Sequence, residues 1–141
     1  MHKKLPNIFI FTNEYNKEIF KNKNLNIGII YRNYSSKNRE NQLIKIAHAC
    51  KRKRYQLFVS NDKKLTYKYK ADGIYIPSFN KTEKFLNLEK KNIKIIGSAH
   101  SQKEIQKKIQ QNCEAIFLSP VFSIKKSRNY WIYTNSIIYH I

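Results

Sequence analysis

Carboxylates are scarce in this chain of 141 residues: nine Asp and Glu stand against 28 Lys and Arg, for a formal net charge of +19. Only Asp62 and Asp72 are aspartates, which confines aspartate chemistry to those positions. The two cysteines, Cys50 and Cys113, lie far apart and share no metal-ligand or redox spacing, which excludes a sequence-local metal or dithiol site. Cys50 falls on the apolar side of a predicted helix and reads as a buried thiol. No apolar stretch near the start is long enough for a signal peptide or a membrane span, so cytoplasm is the expected location and no membrane partner is expected. No base-and-acid triad can be named for a serine nucleophile. No linker or low-complexity segment divides the chain, so residues 1–141 read as one domain.

Glycine and proline number three each, and alanine is also sparse, whereas Lys, Asn, Ile and Tyr abound. AT-rich codons encode the abundant set and GC-rich codons the sparse one. Drift in an AT-rich genome therefore produces the same basic balance without a nucleic-acid partner. The basic residues are spread along the whole chain. Their one dense cluster, Lys51 to Arg54, follows a predicted helix, where cations complement the dipole. A basic nucleic-acid-binding module thus ranks last among the functional readings.

What is plentiful is short apolar runs ending in small or polar clusters. Six of them predict strands at Ile8–Phe11, Ile27–Tyr31, Gln56–Val59, Gly73–Ile76, Ile93–Ile96 and Ala115–Leu118. The first is fully apolar, as suits a strand buried on both faces. Between them lie predicted helices: a short one over Glu14–Lys21 with Asn13 as cap, a clear one over Asn41–Arg52, then Lys63–Tyr69, a weaker one over Thr82–Lys90, and one opened by a capping box, Ser101-Gln-Lys-Glu104. Leu43, Ile44, Ile46, Ala47 and Cys50 form one apolar face of the second; Ile105 and Ile109 carry the last, which Asn112 can end. Repeated strand-then-helix order implies parallel strands, and parallel α/β folds bind ligands at the carboxyl ends of their strands. Those ends carry Arg32, Asn61, Asp62, Ser98 and His100.

Arg32 offers fixed donors suited to a pyrophosphate. Asp62 can hold Mg²⁺ against a substrate phosphate, or simply cap the helix that follows; spacing alone favours the cap. Asp72 reads as a turn residue. Ser98, Ala99 and His100 precede a helix, where free backbone N–H groups can bind phosphate, or where Ser101 merely caps. Lys125 and Lys126 follow the sixth strand and could reach the same pocket, or belong to a solvated loop.

Four segments in register, Phe58-Val-Ser-Asn-Asp62, Lys70-Ala-Asp-Gly-Ile-Tyr-Ile76, Ile95-Ile-Gly-Ser-Ala-His100 and Ser119-Pro-Val-Phe122, resemble the thiamine phosphate synthase / TenI superfamily. The resemblance covers roughly residues 7–122. It implies a (β/α)8 barrel, here a partial barrel of about six parallel strands with surrounding helices. It implies a role in thiamine biosynthesis, as a transferase that couples an aminopyrimidine diphosphate to a thiazole phosphate and releases pyrophosphate with Mg²⁺, or as a non-catalytic TenI-like binding or regulatory relative. The implied partners are small phosphorylated pyrimidine and thiazole molecules. By the same resemblance Asn61 matches the pyrimidine-site asparagine, Asp62 the first magnesium aspartate, Ser98 the serine near the pyrophosphate, and Arg32 the arginine of a Gln-Leu-Arg-x-Lys stretch, which favours Asp62 as a metal ligand over a mere cap.

The pattern also departs from the family. The glutamine and lysine flanking that arginine fall on Ile30 and Tyr34, and the second magnesium aspartate falls on Asn80. The Gly-Gln ahead of it is Pro77-Ser78. A Thr-x-Thr-Lys falls on Ile124, Lys126 and Ser127, with Lys125 a partial substitute. The seventh and eighth strands have no counterpart. The tail from Tyr130 reads as one more strand or a disordered end, leaving the first and sixth strands with open edges. A truncated or frame-shifted terminal third is the expectation; a homo-oligomer covering the open side is the alternative.

Overall fold

A computed structural model of the chain describes residues 3–21, 26–34, 37–118, 125–127, 130–134 and 138–140. Six strands, β1 (Ile8–Thr12), β2 (Ile27–Tyr31), β3 (Gln56–Ser60), β4 (Gly73–Ile76), β5 (Lys94–Ala99) and β6 (Ala115–Leu118), pair in parallel, each with the next. Helices α1 (Arg39–Lys53), α2 (Lys63–Lys68) and α3 (Gln102–Gln110) follow β2, β3 and β5. This is the expected half-barrel of parallel strands wrapped by helices. No helix among the described residues is long and apolar enough to cross a membrane.

Strand alternation sorts the apolar residues into two faces. Ile10, Ile27, Ile29, Leu57 and Val59 point outward onto Leu43, Ile46, Ala49 and Cys50 of α1. Ile74, Ile76, Ile95 and Ile116 point outward onto Phe85, Leu88 and Cys113. Burial pushes the Cys50 thiol upward and takes the Cys113 thiol to about 12, so both are inert core thiols. The inward face carries Phe9, Phe11, Ile30, Phe58, Tyr75, Ile96, Ala115 and Phe117 in a single cluster.

That inner cluster shows that the sheet is curled. β1 and β6 lie at opposite ends of the six parallel strands, and in a flat sheet they would be roughly 24 Å apart at the usual strand spacing. Instead the Phe117 ring meets Phe9 edge-on at 5.0 Å and Phe11 at 5.2 Å between centroids. Two of the few glycines make room for the rings. A Cβ on Gly73 would sit 2.5 Å from the Phe58 ring, and one on Gly28 would sit 3.0 Å from Phe9.

The amino end of the barrel is plugged by polar groups. Lys94 Nζ donates to Gln56 Oε1 at 2.8 Å and to the Lys4 carbonyl at 3.0 Å, and Gln56 Nε2 donates to the same carbonyl at 2.7 Å. Burial pushes the Lys94 amine below the usual lysine range. Asp72 does more than turn the chain: its Oδ2 accepts the Leu57 N–H at 2.8 Å, tying the start of β3.

Several expected elements shift. The first helix shrinks to one 3₁₀ turn, Lys17–Phe20, capped by Asn16 rather than Asn13. The weak helix over 82–90 becomes turns ending in a 3₁₀ turn, Leu88–Lys91, because Asn87 adopts φ 75°. Lys51 to Lys53 form the last turn of α1, and Arg54 caps it in a left-handed conformation. Among the described residues asparagine supplies four of the six non-glycine positive-φ positions, the role glycine takes in chains richer in it. In α3 the buried member is Lys108, whereas Ile109 is exposed.

The tail overturns the expectation of one strand or a disordered end with open edges. It forms β7 (Lys125–Ser127), β8 (Tyr130–Thr134) and β9 (Ile138–His140). β8 runs antiparallel along β1 and β9 antiparallel along β6, so both edges of the parallel sheet are paired from within the same chain.

Phe9→Ala empties the centre of the inner cluster, and its expected cost is about 3–5 kcal/mol. Phe79→Ala, at a side chain 65% exposed, is expected to cost within about 0.5 kcal/mol. Urea unfolding of the two variants checks the contrast; equal midpoints would show that the rings do not hold the barrel.

Candidate functional site

The carboxyl ends of the strands surround a cleft of about 320 Å³ lined by Phe11, Arg32, Tyr34, Tyr75, Pro77, Ser78, Phe79, Ser98, His100 and Phe117. Three residues expected from sequence, Arg32, Ser98 and His100, therefore meet in one place. Arg32 follows β2 directly, and its guanidinium lies 5.3 Å from the centroid of the Phe11 ring. Ser98 points inward from β5 and accepts a hydrogen bond from the Tyr75 hydroxyl at 2.7 Å. Tyr34 and Phe79 pack edge-on at the mouth, with centroids 5.6 Å apart. Burial pushes the Tyr34 phenol upward, with Arg32 beside it pulling the other way. The result is a slot with aromatic walls, one arginine and a fixed hydroxyl pair. Such a slot suits a planar ring carrying an anionic group.

The backbone around Ser98 differs from expectation. β5 continues to Ala99, so Ser98 and Ala99 are ladder residues opposite Phe117 and Leu118. The His100 N–H donates to Glu104 Oε2 at 2.5 Å, while Ser101 Oγ accepts the Glu104 N–H at 3.2 Å. The capping box thus forms with Glu104 reaching back to His100 rather than to Ser101.

Asn61 and Asp62 belong to an adjoining network. Asn61 stands at φ 60° and its side-chain oxygen accepts from Asn80 Nδ2. Asp62 caps α2 through Oδ1, which accepts the Leu65 N–H at 2.9 Å. Its Oδ2 takes Arg39 Nη1 at 3.2 Å, and Arg39 Nη2 donates to the Ser60 carbonyl at 2.8 Å. Asn80 is held in turn: its carbonyl accepts Lys108 Nζ and Gln111 Nε2, each at 2.9 Å. The donors here do not fit a magnesium site, since a guanidinium occupies one oxygen of Asp62, a backbone N–H the other, and the facing side chain is an amide. Among the described residues no group of three or more His, Cys, Asp or Glu gathers around a common point.

Lys125 lies in β7, opposite Ile132 of β8, one strand removed from β1. The Ser119-Pro-Val-Phe122 segment lies outside the described residues. Tyr75, Arg39, Lys108 and Gln111 also stand at or beside the site and are not among the residues expected from the sequence. Tyr75 carried a usable signal, because it alternates with Gly73 on the inward face of β4. Lys108 carried none, since a lysine on an amphipathic helix reads as solvated.

Lys108 is fully buried, and burial pushes its amine below the usual lysine range. Between that lowered value and the unfolded one, the unfolded chain binds the extra proton, so stability rises with pH across the window just below 10.5. Lys108→Met is expected to remove part of that rise in urea titrations. It should also speed hydrogen exchange of the amides at 77–82. A variant with unchanged pH slope and unchanged exchange would show that Lys108 does not clamp the loop after β4.

A family model described as thiamine monophosphate synthase matches residues 20–131. Among solved structures, thiamine phosphate pyrophosphorylase from Pyrococcus furiosus superposes with a TM-score of 0.52 at 16% identity, over 68% of this chain and 48% of that one. The chain thus spans about half the length of that protein, and the likeness concerns the fold. Among curated proteins none matches.

Proposed function

Because the chain belongs to the thiamine monophosphate synthase family, we propose that it serves thiamine biosynthesis by binding a phosphorylated heterocycle in the cleft at the carboxyl ends of its strands. The observation that carries this reading is the meeting of Arg32, Ser98 and His100 between aromatic walls. Arg32 would pair with phosphate through its fork of N–H donors. The Tyr75–Ser98 pair would orient the ligand, and Phe11, Phe117 and Tyr34 would enclose its ring. The cleft lies at the small end of the range for small-molecule sites, which suits a single phosphorylated ring.

In the family's coupling reaction the enzyme has to neutralise a departing diphosphate while aligning two rings, which is electrostatic and positional work rather than nucleophilic attack by a side chain. Arg32 and the Tyr75–Ser98 pair would contribute to both tasks. A second reading, a binding protein without turnover, is favoured by one observation: the Arg39–Asp62 pair and Asn80 stand where the resemblance puts magnesium carboxylates.

Calorimetry with the phosphorylated pyrimidine and the phosphorylated thiazole tests the binding reading. One of the two is expected to bind, with an affinity about 10–100-fold weaker in Arg32→Ala, in keeping with loss of a charge-assisted contact. The absence of binding heat for both ligands would contradict it. Mixing both precursors and assaying pyrophosphate release separates the two readings: release marks a transferase, and binding without release marks the binding protein.

A further inference from the structure

We infer that the cleft takes its anion without a divalent cation, with Arg39 cancelling the charge of Asp62 and Arg32 meeting the anion. This rests on the reading of the cleft as a phosphate site and specifies how its charge is balanced.

The oxygens that could hold a cation are already engaged. Asp62 Oδ1 is committed to the α2 cap, and Oδ2 to the Arg39 guanidinium. The Ser60 carbonyl, at the end of β3, accepts from the same guanidinium. Asn61 Oδ1 accepts from Asn80, and Asn80 Oδ1 accepts the Thr82 N–H at 2.8 Å. The Asn80 carbonyl, another hard oxygen that could face a cation, is held by both Lys108 and Gln111. Magnesium demands near-octahedral oxygen ligation and sheds water reluctantly. Here it would have to displace a guanidinium from a pair that is only 18% and 27% exposed. Arg39 Nε is already buried without a hydrogen-bond partner among the described residues. Stripping the carboxylate away would leave the guanidinium, among the described residues, with the Ser60 carbonyl as its one remaining acceptor, a costly state for a partly buried cation.

The electrostatic role usually given to a metal is to offset a ligand phosphate against nearby carboxylates. With Asp62 paired internally, no bare aspartate among the described residues lines the cleft, and Arg32 stands at its wall with Phe11 behind it. The cation is thus built into the chain on the first turn of α1, a position set by helix geometry rather than by ion concentration.

The test titrates inorganic pyrophosphate into the full chain by calorimetry, once in EDTA and once in excess magnesium chloride. Manganese binding to the protein alone is followed by electron paramagnetic resonance. Binding is expected in EDTA, weakened by less than about threefold relative to magnesium, with no stoichiometric manganese site. Asp62→Asn keeps a side chain that caps helices well; it is expected to tighten pyrophosphate binding in EDTA by about threefold, because Arg39 then becomes an uncompensated cation. Binding that needs magnesium, together with a manganese site lost in Asp62→Asn, would overturn the inference and leave the phosphate-site reading intact. No pyrophosphate binding under either condition would overturn both.

Discussion

The edge-on packing of Phe117 against Phe9 and Phe11 is the contact on which the rest of the molecule depends. It joins the first and last of six parallel strands across the inside of the sheet. Larger barrels of this architecture fill their interior with layers of branched aliphatic residues from eight strands. Here the inward face of the six parallel strands carries, among the described residues, four phenylalanines and one tyrosine beside Ile30, Ile96 and Ala115, and the rings are large apolar volumes with a preferred tilted geometry. The Phe58 ring leaves no room for a side chain at Gly73, and Pro6 together with the Phe9 ring crowds one at Gly28, which accounts for two of the three glycines in the chain.

Curling the sheet is also what creates the site. Strand tips that would be scattered along a flat edge converge, so that Arg32 after β2, Tyr75 on β4, and Ser98 and His100 at the end of β5 share one cleft. Its walls are the upper members of the same aromatic cluster, so core and site are continuous. The loop after β4 is pinned to α3 by Lys108 and Gln111. The start of α1 is pinned to β3 by Arg39. Each device brings a cation to the carboxyl end of the barrel by way of a helix packed outside it.

Much of this was legible from the residues in order. The parallel strands announced themselves as short apolar runs, and α1 by its face of Leu43, Ile46 and Cys50. The α2 and α3 caps were set by Asp62 and Ser101, short side chains that accept local N–H groups. Less was legible where local pattern and tertiary packing part ways. The stretch from Thr82 to Lys90 has helical spacing of Phe85 and Leu88, but asparagine in a left-handed conformation breaks it into turns. The tail lacks clear periodicity, and its pairing on β1 and β6 is set by edges that exist only once the sheet has formed. At the site, position along a strand was enough to find Arg32, Ser98 and His100. The Arg39–Asp62 pair was not legible, because it depends on how the start of α1 lies against the end of β3. That contact spans 23 residues and leaves no spacing signature.

The most direct test of this account is a solution measurement of ring-to-ring proximity across the sheet, by nuclear Overhauser effects between the Phe9 and Phe117 ring protons in selectively labelled protein. With ring centroids 5.0 Å apart, strong cross-peaks are predicted. Their absence in a folded chain, alongside intact strand-to-neighbour cross-peaks, would mean an open sheet. The strand tips would then not form a common cleft.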